Sequence, residues 1–407
     1  MALKKLTVDN VDISGRRVLL RAHLAVPLDA DGNVANEHRV ISSVPTIRYL
    51  LEQGARSVVI VSHIDRPHGK RVEPLSLKKV HPILEKHLGR KITFLDDCVG
   101  PEIEALTSNP PNGSVFLLES VRFHPEEEQK GCCEAEIAEF EKSLRSHGDI
   151  YVNDAFGTSH RSHTSLIGLG MEIRAAGLLM KEELDYIARA IESPASPYVA
   201  ISGGAKGAEK MLQLPNLIDY VDDIVVGGGM ASIFLKMVYG MPIGDTIYDA
   251  ESAKLVPGLM EKAKAKGVRF HLPVDLVIAK EKSNTAETRI VEVSEGVPVG
   301  WMMLDIGPKT IQQFKEVIRK AKTIGWNGPA GLFEIDQFDK GTLGIAEAVA
   351  EATKNGALSI VGGGDTSTAL KKFGMETTVS HISTGGGTTL NLLGGYVLPG
   401  VEALSDA

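Results

Sequence analysis

A phosphate-binding turn is the clearest chemical feature of the sequence. The apolar run Leu358–Val361 ends at three glycines, an acid and a hydroxyl, and a helical pattern follows at once. These residues are Gly362, Gly363, Gly364, Asp365 and Thr366. Glycine lets the backbone approach a ligand, N–H groups at a helix start attract phosphate, and a carboxylate suits a divalent cation. We predict a nucleotide site with Asp365 as metal ligand; the alternative is a turn in which Asp365 or Thr366 caps the helix.

Further glycine-rich turns in the second half favour the nucleotide site. They follow apolar strand patterns within Ser202–Lys210, Val226–Met230 and Trp326–Pro329. Lys206 and Lys210 stand four residues apart, so they would share one helix face and could stabilise a transferring phosphoryl group. An ordinary exposed lysine pair is the alternative. The candidate residues at these turns are Gly204, Lys206, Lys210, Gly228, Gly229 and Asn327.

A set of basic side chains follows the strand patterns of the first half. It comprises Arg21, His23, Arg39, His63, Arg66, Arg122, Arg161 and His163. The carboxyl ends of parallel strands lie at one edge of a sheet, and a guanidinium can bind an anion with two hydrogen bonds. We therefore predict a site for a small, doubly anionic ligand at this edge. Taken singly, each arginine is also explained as a solvated surface residue.

Composition bounds the possible partners and the compartment. A net charge of −8 argues against nucleic acid as the main partner. Three cysteines form neither a disulfide framework nor a spaced set of metal ligands, which favours a reducing compartment. No apolar run reaches membrane-spanning length, and the first residues lack the apolar core of a signal peptide. We expect a cytoplasmic protein that binds neither nucleic acid nor membrane.

Strand and helix patterns alternate along both halves, which predicts an α/β fold with parallel sheets covered on both faces. The predicted strands of the first half are Arg17–Arg21, Ser57–Val61, Lys91–Leu95, Ser114–Leu118 and Ile150–Asn153. The predicted helices there are Ser42–Gln53, Leu75–His87 and Ala135–Arg145, and Arg39 falls in the turn before a helix. The predicted strands of the second half are Tyr198–Ser202, Asp223–Val226, Val268–Leu272, Thr323–Trp326, Leu358–Val361 and Val379–Ile382. One long helical pattern, Glu172–Glu192, joins the halves, so we expect two α/β domains connected by a helix.

Motifs of several other enzyme classes are absent. A P-loop needs glycine where Ala208 stands, and a dinucleotide fingerprint needs glycine at Ser232 or Ser367. No pattern for covalent catalysis or for a zinc site is evident. Direct phosphoryl transfer remains, driven by positioning and charge neutralisation, with closure of two ligand-bearing domains about the connecting helix.

The motifs resemble those of the phosphoglycerate kinase family, in order and spacing, over essentially the whole chain. They are Ser62–Pro67, Asp154–Ser165, Gly203–Lys210, Gly227–Met230, Asp305–Pro308, Trp326–Glu334, Gly362–Thr366 and Ser383–Gly387. The resemblance implies two Rossmann-like, three-layer domains with a hinge helix and a carboxyl-terminal tail that returns to the first domain. The boundaries we expect are 1–171 for the 3-phosphoglycerate domain, 172–192 for the connecting helix, 193–387 for the nucleotide domain and 388–407 for the tail.

The resemblance also implies a reaction, its cofactors and the roles of residues. The reaction is reversible transfer between 1,3-bisphosphoglycerate and ADP, with Mg²⁺, in a monomer. Residues expected to bind the acid substrate are Arg39, His63, Arg66, Arg122 and Arg161. Residues expected to contact the transferring group are Arg39, Lys206 and Lys210, with Asn327 beside them. Glu334 would take the ribose hydroxyls, Asp365 the Mg²⁺, and Thr366 with the glycines the β-phosphate.

Several positions depart from the family pattern. The family's Arg-Val-Asp-Phe-Asn-Val-Pro run reads Arg-Ala-His-Leu-Ala-Val-Pro here, so His23 and Ala25 replace an aspartate and an asparagine. Losing two such hydrogen bonds would cost about 2–4 kcal/mol, and we expect His23 to meet the charge of the acid instead. Asp65 replaces a glycine and adds negative charge near the anion site. Met303 replaces a glycine at the adenine wall, where Ser232, in place of a phenylalanine, is expected to restore room.

Three functions are compatible with this pattern. The first is a phosphoglycerate kinase with adjusted binding, and the second is a kinase for another small phosphorylated acid. The third is a non-catalytic paralogue that acts as a binding or regulatory protein. Retention of Arg39, Lys206, Lys210 and Asp365 favours an enzyme, because a scaffold has no physical need of all four.

Overall fold

The computed structural model describes residues 4–204 and 207–407, which form two compact units. The amino-terminal unit contains the described residues up to Asp185 together with Val397–Ala407. The carboxyl-terminal unit is Tyr186–Tyr396. Each unit is built around its own six-stranded parallel sheet, which confirms the predicted α/β class.

The sheet of the amino-terminal unit is parallel and has the strand order β3-β4-β2-β1-β5-β6. Its strands are β1 (Arg17–Arg21), β2 (Ser57–Val61), β3 (Thr93–Leu95), β4 (Ser114–Leu118), β5 (Ile150–Asn153) and β6 (Arg174–Ala176). All five residues of β2 are buried, because a central parallel strand is covered on both faces, and that is why it reads as a continuous apolar run. The strand order puts the ends of β1, β2 and β4 side by side.

The helices of the amino-terminal unit cover this sheet. They are α1 (His38–Glu52), α2 (His81–Leu88), α3 (Pro101–Ser108), α4 (Pro125–Glu128), α5 (Glu134–Arg145) and α6 (Leu178–Ile191), the last of which extends across the unit boundary. Short 3₁₀ turns lie at Val8–Asn10, Glu73–Leu75, Leu77–Lys79, Val121–Phe123, Phe156–Thr158, Thr164–Leu166 and Gly168–Gly170.

Three helix predictions for this half were wrong in part. The predicted helix Leu75–His87 consists of 3₁₀ turns followed by α2, which begins only at His81. Arg39 lies in the first turn of α1 rather than before it, since the side chain of Asn36 accepts a hydrogen bond from the His38 N–H at the helix start. The predicted helix 172–192 begins only at Leu178, and the preceding residues form β6 beside β5. Asp154 explains the late start, because its carboxylate accepts a hydrogen bond from the Met180 N–H in the first turn of α6.

The carboxyl-terminal unit holds a parallel sheet of order β15-β14-β13-β7-β8-β9 and a small antiparallel sheet of order β11-β10-β12. The strands of the large sheet are β7 (Tyr198–Ser202), β8 (Asp223–Val226), β9 (Arg269–His271), β13 (Thr323–Asn327), β14 (Leu358–Gly362) and β15 (His381–Ile382). Those of the small sheet are β10 (Asp275–Ala279), β11 (Thr288–Glu292) and β12 (Met302–Ile306). The small sheet is absent from the sequence-based prediction.

Apolar cores fill both faces of the large sheet in the carboxyl-terminal unit. One is centred on Phe234 and Leu276 and the other on Phe314 and Trp326, all fully or nearly fully buried. The helices are α7 (Gly207–Leu217), α8 (Gly228–Tyr239), α9 (Ala250–Ala253), α10 (Val256–Lys266), α11 (Pro308–Ile318), α12 (Lys340–Lys354), α13 (Gly364–Lys372) and α14 (Gly387–Leu393). Two 3₁₀ turns lie at Asp336–Phe338 and Glu376–Thr378.

The end of the chain packs on the amino-terminal unit through α15 (Pro399–Glu402). The Asn153 amide donates to the Gly400 carbonyl at 3.0 Å, and the Gly400 N–H donates to the Ser159 carbonyl at 2.9 Å. Arg174 Nε donates to the Ala403 carbonyl at 2.6 Å. These bonds tie the tail to β5 and β6. Across the described residues, every helix is too short or too polar to cross a membrane.

Candidate functional site

Most of the predicted basic residues lie at the carboxyl ends of the strands of the amino-terminal unit. Arg21 ends β1, His63 follows β2, Arg122 lies in the 3₁₀ turn after β4, and Arg161 follows β5. The strand order makes β1, β2, β4 and β5 neighbours, so four separate chain segments deliver cationic or imidazole groups to one edge. The arginines also lie close to one another, since Arg161, Arg122 and Arg66 each lower the pKa of His160.

Arg21 is an internal residue of this edge, with no exposed surface. Its Nε donates to Ser165 Oγ at 2.7 Å, one Nη donates to the Ala22 carbonyl at 2.6 Å, and the other lies 2.9 Å from His63 Nδ1. Its charge is balanced by Glu127, also fully buried, at 3.9 Å. Arg21 therefore braces the residues around the predicted anion site from within.

His23 and His63 lie against each other above Arg21. Their rings are stacked, with centroids 6.2 Å apart and planes inclined by 22°. The pKa of each ring lies well below the usual histidine value, first because burial penalises the charged form and then because neighbouring arginines repel a second positive charge. Both rings are neutral at physiological pH.

Arg39 and Arg122 are held by backbone carbonyls. Arg39 Nη1 donates to the Ala25 carbonyl, and Arg122 Nη1 donates to the Asp65 carbonyl at 2.8 Å. Burial lowers the pKa of Arg122 to about 10, with repulsion from Arg21 as the next cause, so it keeps its charge at neutral pH. Its buried Nε has no hydrogen-bond partner among the described residues and lies 3.7 Å from Glu128. A guanidinium with an unused donor is suited to an incoming anion.

The remaining members of the set differ in exposure. Arg66 is exposed and Arg161 is half-buried. Burial and the adjacent arginines lower the pKa of His160 to about 4 and that of His163 to about 3. Asp65, next to Arg66, has a positive φ of 47°, a conformation that glycine adopts without strain.

A cavity of about 420 Å³ lies in the carboxyl-terminal unit. Five of the predicted nucleotide-side residues line it: Gly204, Gly228, Gly229, Glu334 and Asp365. The rest of the wall is mainly apolar and comes from Ile247, Met302–Leu304 and Pro329–Phe333. An apolar hollow with a few converging polar groups is typical of a small-molecule site.

Glycine is required where two turns approach at the cavity. Gly228 has a φ of 56°, and a Cβ there would stand 2.4 Å from the Gly204 nitrogen and 2.7 Å from the Pro329 carbonyl. The Gly204 N–H donates to that same carbonyl at 2.8 Å. The glycines thus let the loops after β7, β8 and β13 meet as bare backbone.

The other predicted residues form a contiguous cluster at the ends of β13 and β14. Lys210 Nζ donates to the Gly203 carbonyl at 2.5 Å and to the Asn327 carbonyl at 3.2 Å. A Cβ on Gly363 would stand 3.0 Å from Asn327 Oδ1. Thr366 is fully buried, and its Oγ1 accepts a hydrogen bond from the Gly328 N–H at 2.7 Å. Lys206 lies outside the described residues.

Asp365 is exposed in the first turn of α13, between the exposed Gly364 and the buried Thr366. Gly362 ends β14 and Gly363 precedes the helix with a φ of 93°. Asp365 lines the cavity, where Mg²⁺ would take one or two carboxylate oxygens together with phosphate oxygens. These residues fit a magnesium–nucleotide complex.

The two residues that depart from the family pattern at the adenine wall have different environments. Met303 lines the cavity, and its N–H donates to Thr246 Oγ1 at 2.9 Å. Ser232 is fully buried and is not among the residues that line the cavity, so the expectation that it restores room there stays a prediction. Its Oγ lies 2.8 Å from the carbonyl oxygens of Gly229 and Ile247, and it therefore fixes two segments that do line the cavity.

Some contributors were given no role from the sequence, although Asp305 falls in one of the family motifs. Glu127 and Ser165 hold Arg21 in place. The burial of Glu127 could not be predicted, because it lies in a run of three glutamates that is typical of an exposed surface. Asp305 is buried beneath Gly331 and Gly341, where burial raises the pKa of its carboxyl to about 8. A signal for Asp305 exists, because an aspartate interrupts the apolar strand Met302–Ile306.

One group of potential metal ligands occurs in the described part of the chain, namely Asp97, Cys98 and His124. His124 Nε2 is 2.7 Å from Asp97 Oδ1, so the two already form a pair. Burial raises the pKa of the Cys98 thiol well above its usual value, which opposes the thiolate that binds a metal. We assign no function to this group.

The structure has a basic cluster at one parallel sheet. At the other sheet it has a glycine-walled cavity with an acidic residue at the start of a helix. Together these features are typical of one class of protein, the small-molecule phosphotransferases of α/β fold. Comparison with known proteins gives the family. The phosphoglycerate kinase family model matches residues 8–396. Phosphoglycerate kinase of Schistosoma mansoni is 50% identical over 416 residues, which covers all of both chains.

Two further comparisons agree. Phosphoglycerate kinase of Gallus gallus is 48% identical over 412 residues, with 99% of each chain covered. The solved structure of phosphoglycerate kinase from Coxiella burnetii aligns with a TM-score of 0.85 at 37% identity and covers 98% of each chain. The chain belongs to the phosphoglycerate kinase family, which confirms the resemblance seen in the motifs.

Proposed function

We propose that the described residues carry the phosphoglycerate kinase reaction in two parts, with the acid on the amino-terminal unit and the nucleotide on the carboxyl-terminal unit. The reaction is reversible phosphoryl transfer between 1,3-bisphosphoglycerate and ADP, with a carboxyl group as acceptor. In the reverse direction a carboxylate oxygen of 3-phosphoglycerate attacks the γ-phosphorus of ATP, and the bond to the β–γ bridging oxygen breaks. The acceptor is already an anion at neutral pH, so no covalent nucleophile from the protein is required.

On the amino-terminal unit, the cationic edge binds the acid. Arg122 supplies its unused Nε donor, and Arg66 and Arg161 add charge around His160. His63 is held by Arg21 with its Nδ1 occupied, which leaves Nε2–H for the ligand. Arg39 neutralises the transferring group. Arg21 itself is a positioning residue in this scheme, since its described contacts are internal.

On the carboxyl-terminal unit, the cavity holds the nucleotide. Glu334 accepts from the ribose hydroxyls, and Met303 contributes to the base wall. The residues proposed to surround the phosphates are Gly204, Gly228, Gly229, Asn327, Gly362, Gly363, Gly364 and Thr366. Lys210 and Lys206 would stabilise the phosphoryl group in transfer, which requires Lys210 to exchange its carbonyl partners for phosphate oxygens.

Asp365 would hold Mg²⁺. The ion supplies charge neutralisation of the phosphates. The chain's contribution is an exposed acidic residue that lines the cavity at the start of α13, beside glycines that lack side chains.

Further features of the proposal concern the whole chain. The division into an acid-substrate domain up to residue 171, a connecting segment up to 192 and a nucleotide domain up to 387 stays part of it, with the helix of that segment beginning at Leu178. Domain closure about this helix also stays part of it. We also propose a cytoplasmic monomer, in keeping with three free cysteines and a net charge of −8. Size-exclusion chromatography with light scattering tests the monomer, for which a mass near 43.7 kDa is expected.

The glycine-walled cavity with Asp365 at its edge is the observation that carries the proposal, because a binding protein for the acid alone would not need it. A coupled assay with 3-phosphoglycerate and Mg-ATP tests it, with the Lys206→Ala/Asp365→Ala double variant as control. Turnover well above that control is expected. Turnover at the control level would reject catalysis, and calorimetry with each ligand would then separate a kinase for another acid from a non-catalytic paralogue.

A further inference from the structure

His23 is a buried polar residue whose ring lacks a hydrogen bond from the described part of the chain. It is 6% exposed and lies two residues beyond the end of β1, at the edge that carries the cationic cluster. Its ring contacts the His63 ring at a centroid distance of 6.2 Å. Its ring nitrogens are not among the buried polar atoms that lack a partner, so they reach solvent at this edge and are open to a ligand there.

The groups that act most strongly on the His23 ring are basic and come from five chain segments. They are Arg21 from β1, Arg39 from α1, His63 after β2, Arg122 from the turn after β4 and His160 after β5. The nearby carboxylates are occupied elsewhere, with Glu127 beside Arg21 and Glu128 beside Arg122. His23 thus lies where positive charge predominates, and an incoming anion would reduce that excess.

The field at His23 is reversed when an anion binds. In the free protein, burial and then repulsion from Arg39, Arg21 and Arg122 hold the pKa of His23 well below the usual value, so the ring is neutral. A phosphorylated carboxylic acid carries two to three negative charges at neutral pH. Opposite charge within about 4–6 Å shifts a pKa by roughly 1–3 units toward the charged form, and it also cancels the repulsion from the arginines.

We propose that His23 is a specificity-determining residue that contacts the bound acid substrate as an imidazolium, so that acid binding by this chain takes up a proton. The proposal rests on the proposed function, because it needs the acid at the amino-terminal unit. The proton comes from solvent, forms the second ring N–H bond, and returns to solvent when the acid leaves. The aspartate that the family has at this position would repel the charge of the acid. His23 instead becomes a cation, and it does so only in the complex.

Proton uptake makes the affinity depend on pH. For each proton taken up, the affinity rises up to tenfold per unit fall in pH, in the range between the pKa of His23 in the complex and its pKa in the free protein. The phosphate of the ligand titrates near pH 6 and acts in the opposite sense, since its dianion binds better. The difference between wild type and a His23 variant therefore measures His23, whereas the wild-type profile alone does not.

The test is isothermal titration calorimetry with 3-phosphoglycerate at pH 6.5, in two non-phosphate buffers of different ionisation enthalpy. The proteins are wild type, His23→Gln and, as control, His147→Gln. His147 is also buried, but both its ring nitrogens already have partners, Thr107 and the Cys98 carbonyl. Wild type and His147→Gln should take up more protons than His23→Gln, by up to one proton. The ratio of wild-type to His23→Gln affinity should also rise several-fold from pH 7.5 to 6.0.

Equal proton uptake by wild type and His23→Gln would overturn the inference while leaving the proposed function intact. Failure of wild type to bind 3-phosphoglycerate at millimolar concentration would instead reject the proposed function of the amino-terminal unit. Circular dichroism and thermal unfolding show whether the variants fold. If His23→Gln does not fold, NMR of ¹⁵N-histidine in wild type decides, since the His23 ring must change from neutral to doubly protonated when the acid is added. A ring that stays neutral overturns the inference.

Discussion

Arg21 Nη2 lies 2.9 Å from His63 Nδ1, and both side chains are buried. A guanidinium can only donate, so Nδ1 accepts and the proton of the neutral ring is on Nε2. One of the residues predicted to touch the substrate therefore orients another. The arrangement needs Glu127, which is fully buried 3.9 Å from Arg21 and accepts from the Ser165 hydroxyl at 2.7 Å.

The first prediction concerns this buried pair. Arg21→Met should lower the free energy of unfolding by about 3–5 kcal/mol, because Glu127 is left as an uncompensated buried charge. Arg21→Met/Glu127→Gln should recover part of that loss. Urea unfolding of wild type, both single variants and the double variant gives the coupling energy. Strictly additive effects would contradict the pairing.

The second prediction concerns Asp65, whose φ of 47° lies in the left-handed region and whose carbonyl accepts from Arg122. Asp65→Gly should raise the free energy of unfolding by about 0.5–1 kcal/mol, since glycine adopts this conformation without the steric cost of a Cβ. It should also strengthen binding of 3-phosphoglycerate, because a negative charge beside Arg66 is removed. Urea unfolding and calorimetry measure the two effects.

Asp65→Asn is the matched control, because asparagine tolerates the left-handed conformation and lacks the charge. It should reproduce the gain in affinity with a smaller change in stability. A gain in affinity for Asp65→Gly alone would assign the effect to the backbone rather than to charge.

Much of the fold could be predicted from the sequence because parallel strands such as Ser57–Val61 are buried on both faces and read as unbroken apolar runs. The small sheet escaped prediction for the opposite reason. Three residues of β11 (Thr288–Glu292) are exposed, so its pattern resembles a loop. β6 (Arg174–Ala176) is only three residues long and is defined by pairing with β5, a long-range contact that no local pattern reveals.

The site shows a similar division. Spacing after strands placed Arg21, His63 and Arg122 at one edge correctly, since the carboxyl ends of neighbouring parallel strands meet there. The spacing of these residues in the sequence does not indicate which of their side chains are buried. The burial of Arg21 depends on Glu127, more than a hundred residues away in sequence, and a run of glutamates reads as surface.

The third prediction is a dependence of stability on pH at Asp305. Burial raises the pKa of this carboxyl to about 8 in the folded protein, from an ordinary value near 3.8 when exposed. The folded state therefore holds the proton more tightly, and this stabilisation, complete below about pH 4, is lost as pH rises toward 8. Asp305→Asn mimics the protonated acid, so its stability relative to wild type should increase steadily from pH 5 to pH 8.5.

Urea unfolding of both proteins across that range is the measurement. The direction is set by the pKa difference, at about 1.4 kcal/mol for each unit. Asp336→Asn serves as control, because Asp336 is exposed and its pKa is lowered by Lys372. A constant difference between wild type and Asp305→Asn would show that Asp305 is ionised in the folded state.

The fourth prediction separates metal binding from nucleotide binding at Asp365. Asp365→Asn keeps the size of the side chain but removes the charge that suits Mg²⁺. Binding of Mg-ADP should weaken by about tenfold. A charge-assisted contact is worth about 1.5–3 kcal/mol, and the lower end of that range corresponds to a tenfold loss of affinity. Binding of ADP in the presence of EDTA should change little or become tighter, since a negative charge at the edge of the cavity is gone. Titration calorimetry in the two conditions makes the comparison, and Asp245→Asn, at another part of the same cavity wall, is the control. Equal weakening with and without Mg²⁺ would show that Asp365 supports the fold of the turn rather than the ion.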